Sequence, residues 1–143
     1  YKKYIPFLLL LISTLSFGQN IHFQAIGVEM AFTTTVTSIY QDEFGIIWIG
    51  TKDGLNRYNG TDFHIFRPIE NDKNSLYNNN IGTICGDKNG HIYIRCKYAV
   101  VEYDTEKNIF HTIRNNNIQA IDYGNSRLWV CTRDSLFTYN RKE

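Results

Sequence analysis

Apolar and polar residues alternate in short stretches along the chain, and turn-forming residues separate the stretches. A period of two places successive side chains on opposite faces of a β-strand, so the first stretches predict four consecutive strands. These predicted strands cover residues 36–40, 46–50, 55–58 and 63–66. The segments between them hold the pairs Asp42 and Gly45, Asp53 and Gly54, and Asn59 and Gly60. Such pairs are typical of tight turns between antiparallel strands.

One phrase of sequence occurs three times. Residues 39–58, 84–103 and 121–139 are similar, and the copies start 45 and then 37 residues apart. In each copy an aromatic residue precedes a tyrosine by ten residues. The pairs are Trp48 and Tyr58, Tyr93 and Tyr103, and Trp129 and Tyr139. A repeat near forty residues, built of short strands and tight turns, predicts the blades of a β-propeller.

The second and third copies predict further strands on the same plan. These strands cover residues 81–85, 91–96, 99–103 and 109–113, and then 118–121, 127–131 and 136–139. The predicted fold class is therefore all-β, a propeller fragment of about three four-stranded antiparallel blades with the third incomplete. Blade 1 is predicted at 36–66, blade 2 at 81–113 and blade 3 at 118–143, with an inter-blade loop at 67–80.

The N-terminal residues follow a different pattern. Lys2 and Lys3 precede an apolar run and then small residues, so residues 1–18 predict a signal peptide. An uncleaved membrane anchor is the alternative. Residues 19–35 are interpreted as a lead-in, in which His22–Ile26 is predicted to be a strand that closes the propeller ring. A plain extended segment is the alternative for that strand.

The repeated aromatic residues have a structural interpretation. Trp48, Tyr93 and Trp129 fall in second strands, where side chains pack between adjacent sheets, so all three are expected in an interior between blades. Gly45 and Gly90 close the turn before that strand, where a positive φ favours glycine. The residues predicted to build the repeat are Asp42, Gly45, Trp48, Gly54, Tyr58, Asp87, Gly90, Tyr93, Tyr103, Trp129 and Tyr139.

Charge and cysteine spacing argue against several classes of function. Without Lys2 and Lys3 the formal charge changes from +1 to −1, and no basic stripe is present, so nucleic acid is not an expected partner. Cys85, Cys96 and Cys131 form no CxxC or Cys/His cluster, so no metal or cofactor is predicted. We interpret them as small, partly buried residues, and a Cys85–Cys96 disulfide is the alternative. No nucleophile motif or phosphate loop is present, so no catalytic residue is predicted.

The core D-x-x-G-x-x-W-I-G-T-x-x-G-L-x-R-Y, from Asp42 to Tyr58, resembles the two-component regulator propeller repeat. Weaker matches follow in the second and third copies, so the resemblance covers about residues 21–139. It implies the sensor region of a hybrid two-component histidine kinase, exported to the periplasmic face of the inner membrane. It also implies a glycan or oligosaccharide as ligand. The implied partners are further blades and a downstream module of the same chain, a membrane anchor beyond these residues, and a second copy of the parent protein.

If a ligand binds, propeller geometry favours one face. The turn between the second and third strands of each blade emerges on the same side as the connection between blades. The candidate ligand-binding residues on that side are Tyr77, Asn78, Asn79, Asn80, Lys97, Tyr98, Arg133 and Asp134. Aromatic, amide and charged side chains together suit stacking on sugars and hydrogen bonding to them. An ordinary polar loop surface is the alternative interpretation.

The sequence favours a sensor that binds a ligand and biases the geometry of a following module, without chemistry in this span. Two hypotheses from other classes stay open. One is a propeller enzyme, either a lyase or a glycoside hydrolase. The other is an exported scaffold for protein interactions.

Overall fold

In the computed structural model of the chain, the described residues are 21–23 and 35–141. The predicted signal peptide at 1–18 and most of the lead-in at 19–35 lie outside them. Residues 21–23, which include the start of the predicted ring-closing strand, carry no strand. Residues 35–141 contain no helix, and so none that is long and apolar enough to cross a membrane.

The regular secondary structure of residues 35–141 consists of eleven strands. The strands are β1 (Val36–Gln41), β2 (Ile47–Thr51), β3 (Gly54–Tyr58), β4 (Phe63–Phe66), β5 (Ile81–Gly86), β6 (His91–Cys96), β7 (Ala99–Asp104), β8 (Ile109–Arg114), β9 (Ile118–Gly124), β10 (Arg127–Thr132) and β11 (Leu136–Tyr139). They make three antiparallel sheets in which sequence neighbours are spatial neighbours: sheet I (β1–β4), sheet II (β5–β8) and sheet III (β9–β11). The predicted all-β class, with two four-stranded sheets and a three-stranded third, is confirmed.

In each sheet, the strand register aligns the aromatic residue of the second strand with one residue on each neighbouring strand, and these three residues form a row across the sheet. In sheet I, Trp48 pairs with Tyr40 on β1 and with Arg57 on β3, so these three side chains share a face. The equivalent rows are Cys85, Tyr93 and Glu102 in sheet II, and Asp122, Trp129 and Thr138 in sheet III. The row of sheet I points toward sheet II, and the row of sheet II points toward sheet III, because their members lie in the cores between those sheets.

The first strands of the sheets lie against one another. Strand β5 contacts both β1 and β9. The Thr37 hydroxyl donates to the Ile81 carbonyl over 2.9 Å, and the Ile84 N–H donates to Ser38 Oγ over 3.1 Å. Contacts between sheets are concentrated near these strands, as expected for blades that radiate from a common axis.

Two hydrophobic cores fill the spaces between the sheets. The core between sheets I and II is built around Trp48, whose ring centroid lies 5.4 Å from that of Tyr103 in an edge-on contact. In the core between sheets II and III, Tyr93 stacks on Tyr123 with centroids 5.6 Å apart. These aromatic contacts each stabilise by about 1 kcal/mol beyond the apolar area they bury.

Trp129 differs from the expectation that it lies in an interior. It is only partly buried, because its row faces away from sheet II and no described element covers it. Its indole N–H donates to the Gly124 carbonyl over 3.2 Å. The repeat therefore predicted its position in the strand, whereas its burial depends on a neighbour.

Two turns and one cysteine pair also differ from the sequence-based expectations. Because Thr51 pairs with Gly54, the β2–β3 turn consists of residues 52–53 rather than Asp53 and Gly54. Because Tyr58 pairs with Phe63, the β3–β4 loop has four residues, 59–62, rather than two. The alternative Cys85–Cys96 disulfide is wrong, since both thiols are free and lie in different cores.

Candidate functional site

The structure joins the long connection at 67–80 to the first two turns of the predicted ligand-binding face. The Gly54 N–H donates to the Asn79 carbonyl and the Lys97 N–H donates to the Asn80 carbonyl, each over 2.8 Å. The next connection is joined in the same way, because the Ile118 N–H donates to the Tyr98 carbonyl over 3.0 Å. Backbone hydrogen bonds therefore hold the turn residues and the asparagine-rich segment side by side.

The side chains of this face differ in their exposure and in their hydrogen bonds within the chain. Tyr77 and Tyr98 are 45% and 55% exposed, and Lys97 Nζ lies 5.4 Å from the Tyr98 ring centroid. The Asn78 side chain is partly used, since its oxygen accepts the Asn80 N–H over 2.9 Å. The residues brought together are thus Asn78, Asn79, Asn80, Lys97 and Tyr98. Tyr77 instead lines a separate groove with Ile69 and His111.

Arg133 and Asp134 form a separate group. Both are exposed on the β10–β11 turn, where Thr132 and Ser135 hydrogen-bond to each other. Within residues 35–141, no hydrogen bond or ion pair joins them to the other candidate residues.

Arg67 is part of this face although sequence reasoning missed it. Its guanidinium donates to the Asp53 carboxylate over 2.7 Å and to the Asp53 carbonyl over 3.1 Å. The hydrogen bond from Arg67 holds the pKa of Asp53 below its usual value. The pair fastens the start of the long connection to the β2–β3 turn. Two opposite charges fourteen residues apart gave no periodic signal that could have revealed it.

Arg95 also lies at this end of the sheets, in the strand position that Gly50 occupies in sheet I. A Cβ at Gly50 would collide with Ile81, and a Cβ at Gly82 would collide with the Arg95 guanidinium. Sheet I therefore has its glycine, Gly50, on the second strand, whereas sheet II has its glycine, Gly82, on the first strand, where it makes room for Arg95. Arg95 Nη1 donates to the Lys97 carbonyl over 3.2 Å, which places a cation beside the second turn.

At the opposite end of the sheets, an aspartate organises the turn before each second strand in sheets I and II. Asp42 Oδ1 accepts the N–H groups of Phe44 and Ile46 over 3.0 and 2.9 Å, and Oδ2 accepts the Trp48 indole N–H over 2.8 Å. In sheet II, Tyr93 has no indole N–H. Asp87 Oδ2 instead lies 2.6 Å from Nδ1 of His91.

A cleft between sheets II and III, the second cleft, lies beside this histidine. It has a volume of about 420 Å³ and is lined by residues that include Asp87, His91, Tyr123, Tyr139 and Arg141. Arg141 follows sheet III and reaches across to sheet II. Its guanidinium donates to Glu102 over 3.0 Å and to Asp104 over 3.2 Å, and it also contacts His91.

Asp104, which pairs with Arg141 beside this cleft, has a lowered pKa. Burial opposes its ionisation, but hydrogen bonds from the side chain and the backbone of Lys107 outweigh burial and lower its pKa to about 2. The carboxylate therefore stays charged and needs the cations around it. Sequence reasoning missed this cluster because Arg141 follows sheet III, whereas Glu102 and Asp104 belong to sheet II.

A first cleft, between sheets I and II, has a volume of about 470 Å³ and more apolar walls. Trp48 and Tyr103 form its inner wall, and the turns that hold Phe44, Gly90 and Asn108 form its mouth. Arg57 is the positively charged residue that lines it. Neither cleft was predicted from the sequence.

Comparisons with known proteins connect this geometry to a family. Residues 32–53 match the family model described as two component regulator propeller. A stretch of 43 residues is 42% identical to histidine kinase P4 of Formosa agariphila, and it covers 30% of this chain and 3% of that protein. The suspected family resemblance is thus confirmed.

Solved structures share the fold of this chain. The extracellular domain of a hybrid two-component system from B. thetaiotaomicron matches with a TM-score of 0.64 and 25% identity, over 76% of this chain and 17% of that one. The extracellular domain of a one-component system from the same organism matches with a TM-score of 0.63 and 20% identity, over 86% and 19%. The virginiamycin B lyase of Staphylococcus aureus shares the fold at 12% identity and a TM-score of 0.51, over 77% and 42%. The chain therefore spans a small part of the two-component relatives it matches.

Proposed function

Because the chain carries a repeat of the two-component regulator propeller family, we propose that it is part of a periplasmic sensor that binds a glycan or oligosaccharide and signals across the membrane. The observation that carries the proposal is the likeness over 76% of the chain to the extracellular domain of a hybrid two-component system. The fold it shares with the lyase concerns architecture alone, so no enzymatic activity is proposed for this span.

The joined part of the candidate face supports a sugar ligand. Tyr98 offers an exposed ring for stacking, and Lys97 and Asn80 beside it offer hydrogen-bond donors. Their backbones are fixed by cross-connections, so the face is held in place before a ligand arrives. A fixed face binds with a smaller loss of conformational entropy.

The rest of the proposal concerns the whole protein. Residues 1–18 act as a signal peptide, further blades complete the ring, and a downstream module carries the signal to a membrane-anchored histidine kinase. Two copies of the parent protein pair in this scheme. Ligand binding shifts the geometry of the propeller against the downstream module, and only a difference in affinity between two geometries can transmit a signal.

Genetics tests the signalling part of the proposal. Deletion of the gene should abolish the transcriptional response of the cell to the glycan that it senses. An unchanged response to every glycan tested would contradict a sensor role.

Calorimetry tests the site. The intact exported region should bind at least one oligosaccharide of a panel, and Tyr98→Ala should weaken that binding by about tenfold through loss of stacking. Lys97→Ala should weaken it less, and Lys88→Ala, on an exposed turn at the opposite end, is the matched control. Cleavage of the oligosaccharide by the purified protein would instead favour an enzyme, and absence of binding would favour a scaffold.

A further inference from the structure

The first cleft contains an arginine without a counter-charge. Arg57 is partly buried on β3 and lines the cleft beside Trp48, its cross-strand neighbour. Among residues 35–141, no hydrogen bond or ion pair to its guanidinium is present. A cation partly shielded from water without an anion loses hydration that nothing replaces, so an anionic partner from outside the chain would be stabilised there.

In the second cleft, the charged residue at the position equivalent to Arg57 has a partner of opposite charge. Register makes Glu102 the equivalent of Arg57, because each pairs with the aromatic residue of its second strand. Glu102 is buried, and Arg141 from the neighbouring sheet neutralises it over 3.0 Å. In the first cleft, no described side chain of sheet II forms an ion pair with Arg57.

The acids near Arg57 do not fill this role. Both oxygens of Asp42 are already used by two backbone N–H groups and the Trp48 indole. Glu106 is exposed at the rim and makes no ion pair with Arg57. Because these two acids also bring negative charge to the cleft, it suits an anion of one charge better than a phosphate dianion.

The walls of the cleft determine which chemical groups fit beside the anionic group of a ligand. The rings of Trp48 and Tyr103 lie 5.4 Å apart, edge to face, and present flat apolar surface. The Asn108 side-chain oxygen accepts the Tyr103 hydroxyl over 3.0 Å, so its NH₂ group is left to donate. The volume of about 470 Å³ is that of a small-molecule pocket.

We propose that the first cleft is a binding site for a small ring-bearing monocarboxylate, whose carboxylate pairs with Arg57 and whose ring packs on Trp48 and Tyr103. A planar guanidinium can hold a carboxylate through two parallel hydrogen bonds. The site lies at the end of the sheets opposite the candidate oligosaccharide face, so it does not depend on that function. The ring carboxylate could come from an aromatic acid or from an acidic sugar.

Calorimetry on the full chain separates these sources. Benzoate and glucuronate are the probes, and benzamide and glucose are their uncharged counterparts. At least one carboxylate should bind, and its uncharged counterpart should bind about tenfold more weakly or not at all, because charge-assisted pairs are the stronger ones. Binding of benzoate identifies an aromatic acid, and binding of glucuronate identifies an acidic sugar.

Variants tie the binding to this cleft. Arg57→Gln should reduce the affinity by about tenfold or more, whereas Arg127→Gln, an exposed arginine of β10, should have no effect. Glu106→Gln should raise the affinity about twofold by removing a like charge. A structural role for Arg57 would lower the melting temperature of Arg57→Gln, and the proposal expects no decrease. The proposal is overturned if neither carboxylate binds, if charged and uncharged probes bind equally, or if Arg57→Gln binds like Arg127→Gln.

Discussion

The two spaces between the three sheets each contain a charged residue beside a buried aromatic residue, and they differ in whether that charge is paired. Both have an aromatic core and a charged residue beside the second-strand aromatic residue, Arg57 in one and Glu102 in the other. In the space between sheets II and III, Arg141 crosses over and neutralises the charge. In the space between sheets I and II, the charge is left facing a cleft. One repeat can thus build, at equivalent positions, a charge that is paired within the described residues and a charge that is not.

The largest expected effect on stability comes from the aromatic residue of the second strand, which is buried in sheets I and II and only partly buried in sheet III. Trp48→Ala should destabilise the chain by about 3–5 kcal/mol, because it empties the centre of the first core. Trp129→Ala is the matched control, and its effect should be under about 2 kcal/mol because the ring is only partly buried. Urea unfolding followed by far-UV circular dichroism measures both. Equal losses would mean that Trp129 is covered as well as Trp48.

The next effect concerns the ion cluster of the second cleft. Arg141→Gln should destabilise by about 2 kcal/mol, because it leaves Glu102 and Asp104 without their shared cation and the arginine is itself partly exposed. Glu102→Gln in the same background should recover part of the loss. A double-mutant cycle measures the coupling, and a coupling energy near zero would show that the pair contributes nothing.

Asp104 gives the same cleft a dependence on pH. Its folded-state pKa of about 2 lies below the usual value of 3.8, so its contribution is present above about pH 4 and is lost as the pH falls toward 2. Stability measured across this range should fall less steeply in Asp104→Asn than in the wild type. Asp134→Asn, an exposed control, should leave the slope unchanged. A slope unaffected by Asp104→Asn would contradict the assigned pKa.

The last prediction concerns the reactivity of the three cysteines and involves no change in stability. Burial raises the pKa of Cys85 and of Cys96 to about 12, so both thiols stay protonated at neutral pH. Cys131 is partly exposed. Labelling of the native chain with a thiol reagent, followed by mass spectrometry, should modify Cys131 first. Rapid modification of Cys85 would show that the second core opens readily.

The repeat was sufficient to predict the sheets, because alternation and turn residues act locally. The strands around Trp48 and Tyr93 follow from period-two patterning, and Asp42 and Gly45 mark the turn between strands without any knowledge of the neighbours. The length of the β3–β4 loop was mispredicted, since Asn59 and Gly60 fit a two-residue turn as well as the observed four-residue loop.

The clefts could not be predicted, because they depend on residues from different sheets. Nothing in the sequence around Glu102 indicates that Arg141 will neutralise it, since the contact requires sheet III to be docked on sheet II. Arg57 is unpaired among the described residues because neither acid that lines its cleft, Asp42 or Glu106, forms an ion pair with it. The position of the loops on the candidate ligand-binding face was easier to predict, since it follows from topology alone, and their role in binding stays a prediction. Arg67 reaches this face through a contact with Asp53 fourteen residues away, which the sequence did not indicate.

The most direct test of the difference between the clefts is the free energy of unfolding of Arg57→Gln and Arg141→Gln, measured side by side in urea. Arg57→Gln should be as stable as the wild type or more stable, because the guanidinium it removes has no hydrogen-bond or ion-pair partner among residues 35–141. Arg141→Gln should lose about 2 kcal/mol. Equal losses in the two variants would contradict the account, since they would mean that Arg57 is paired within the chain as Arg141 is.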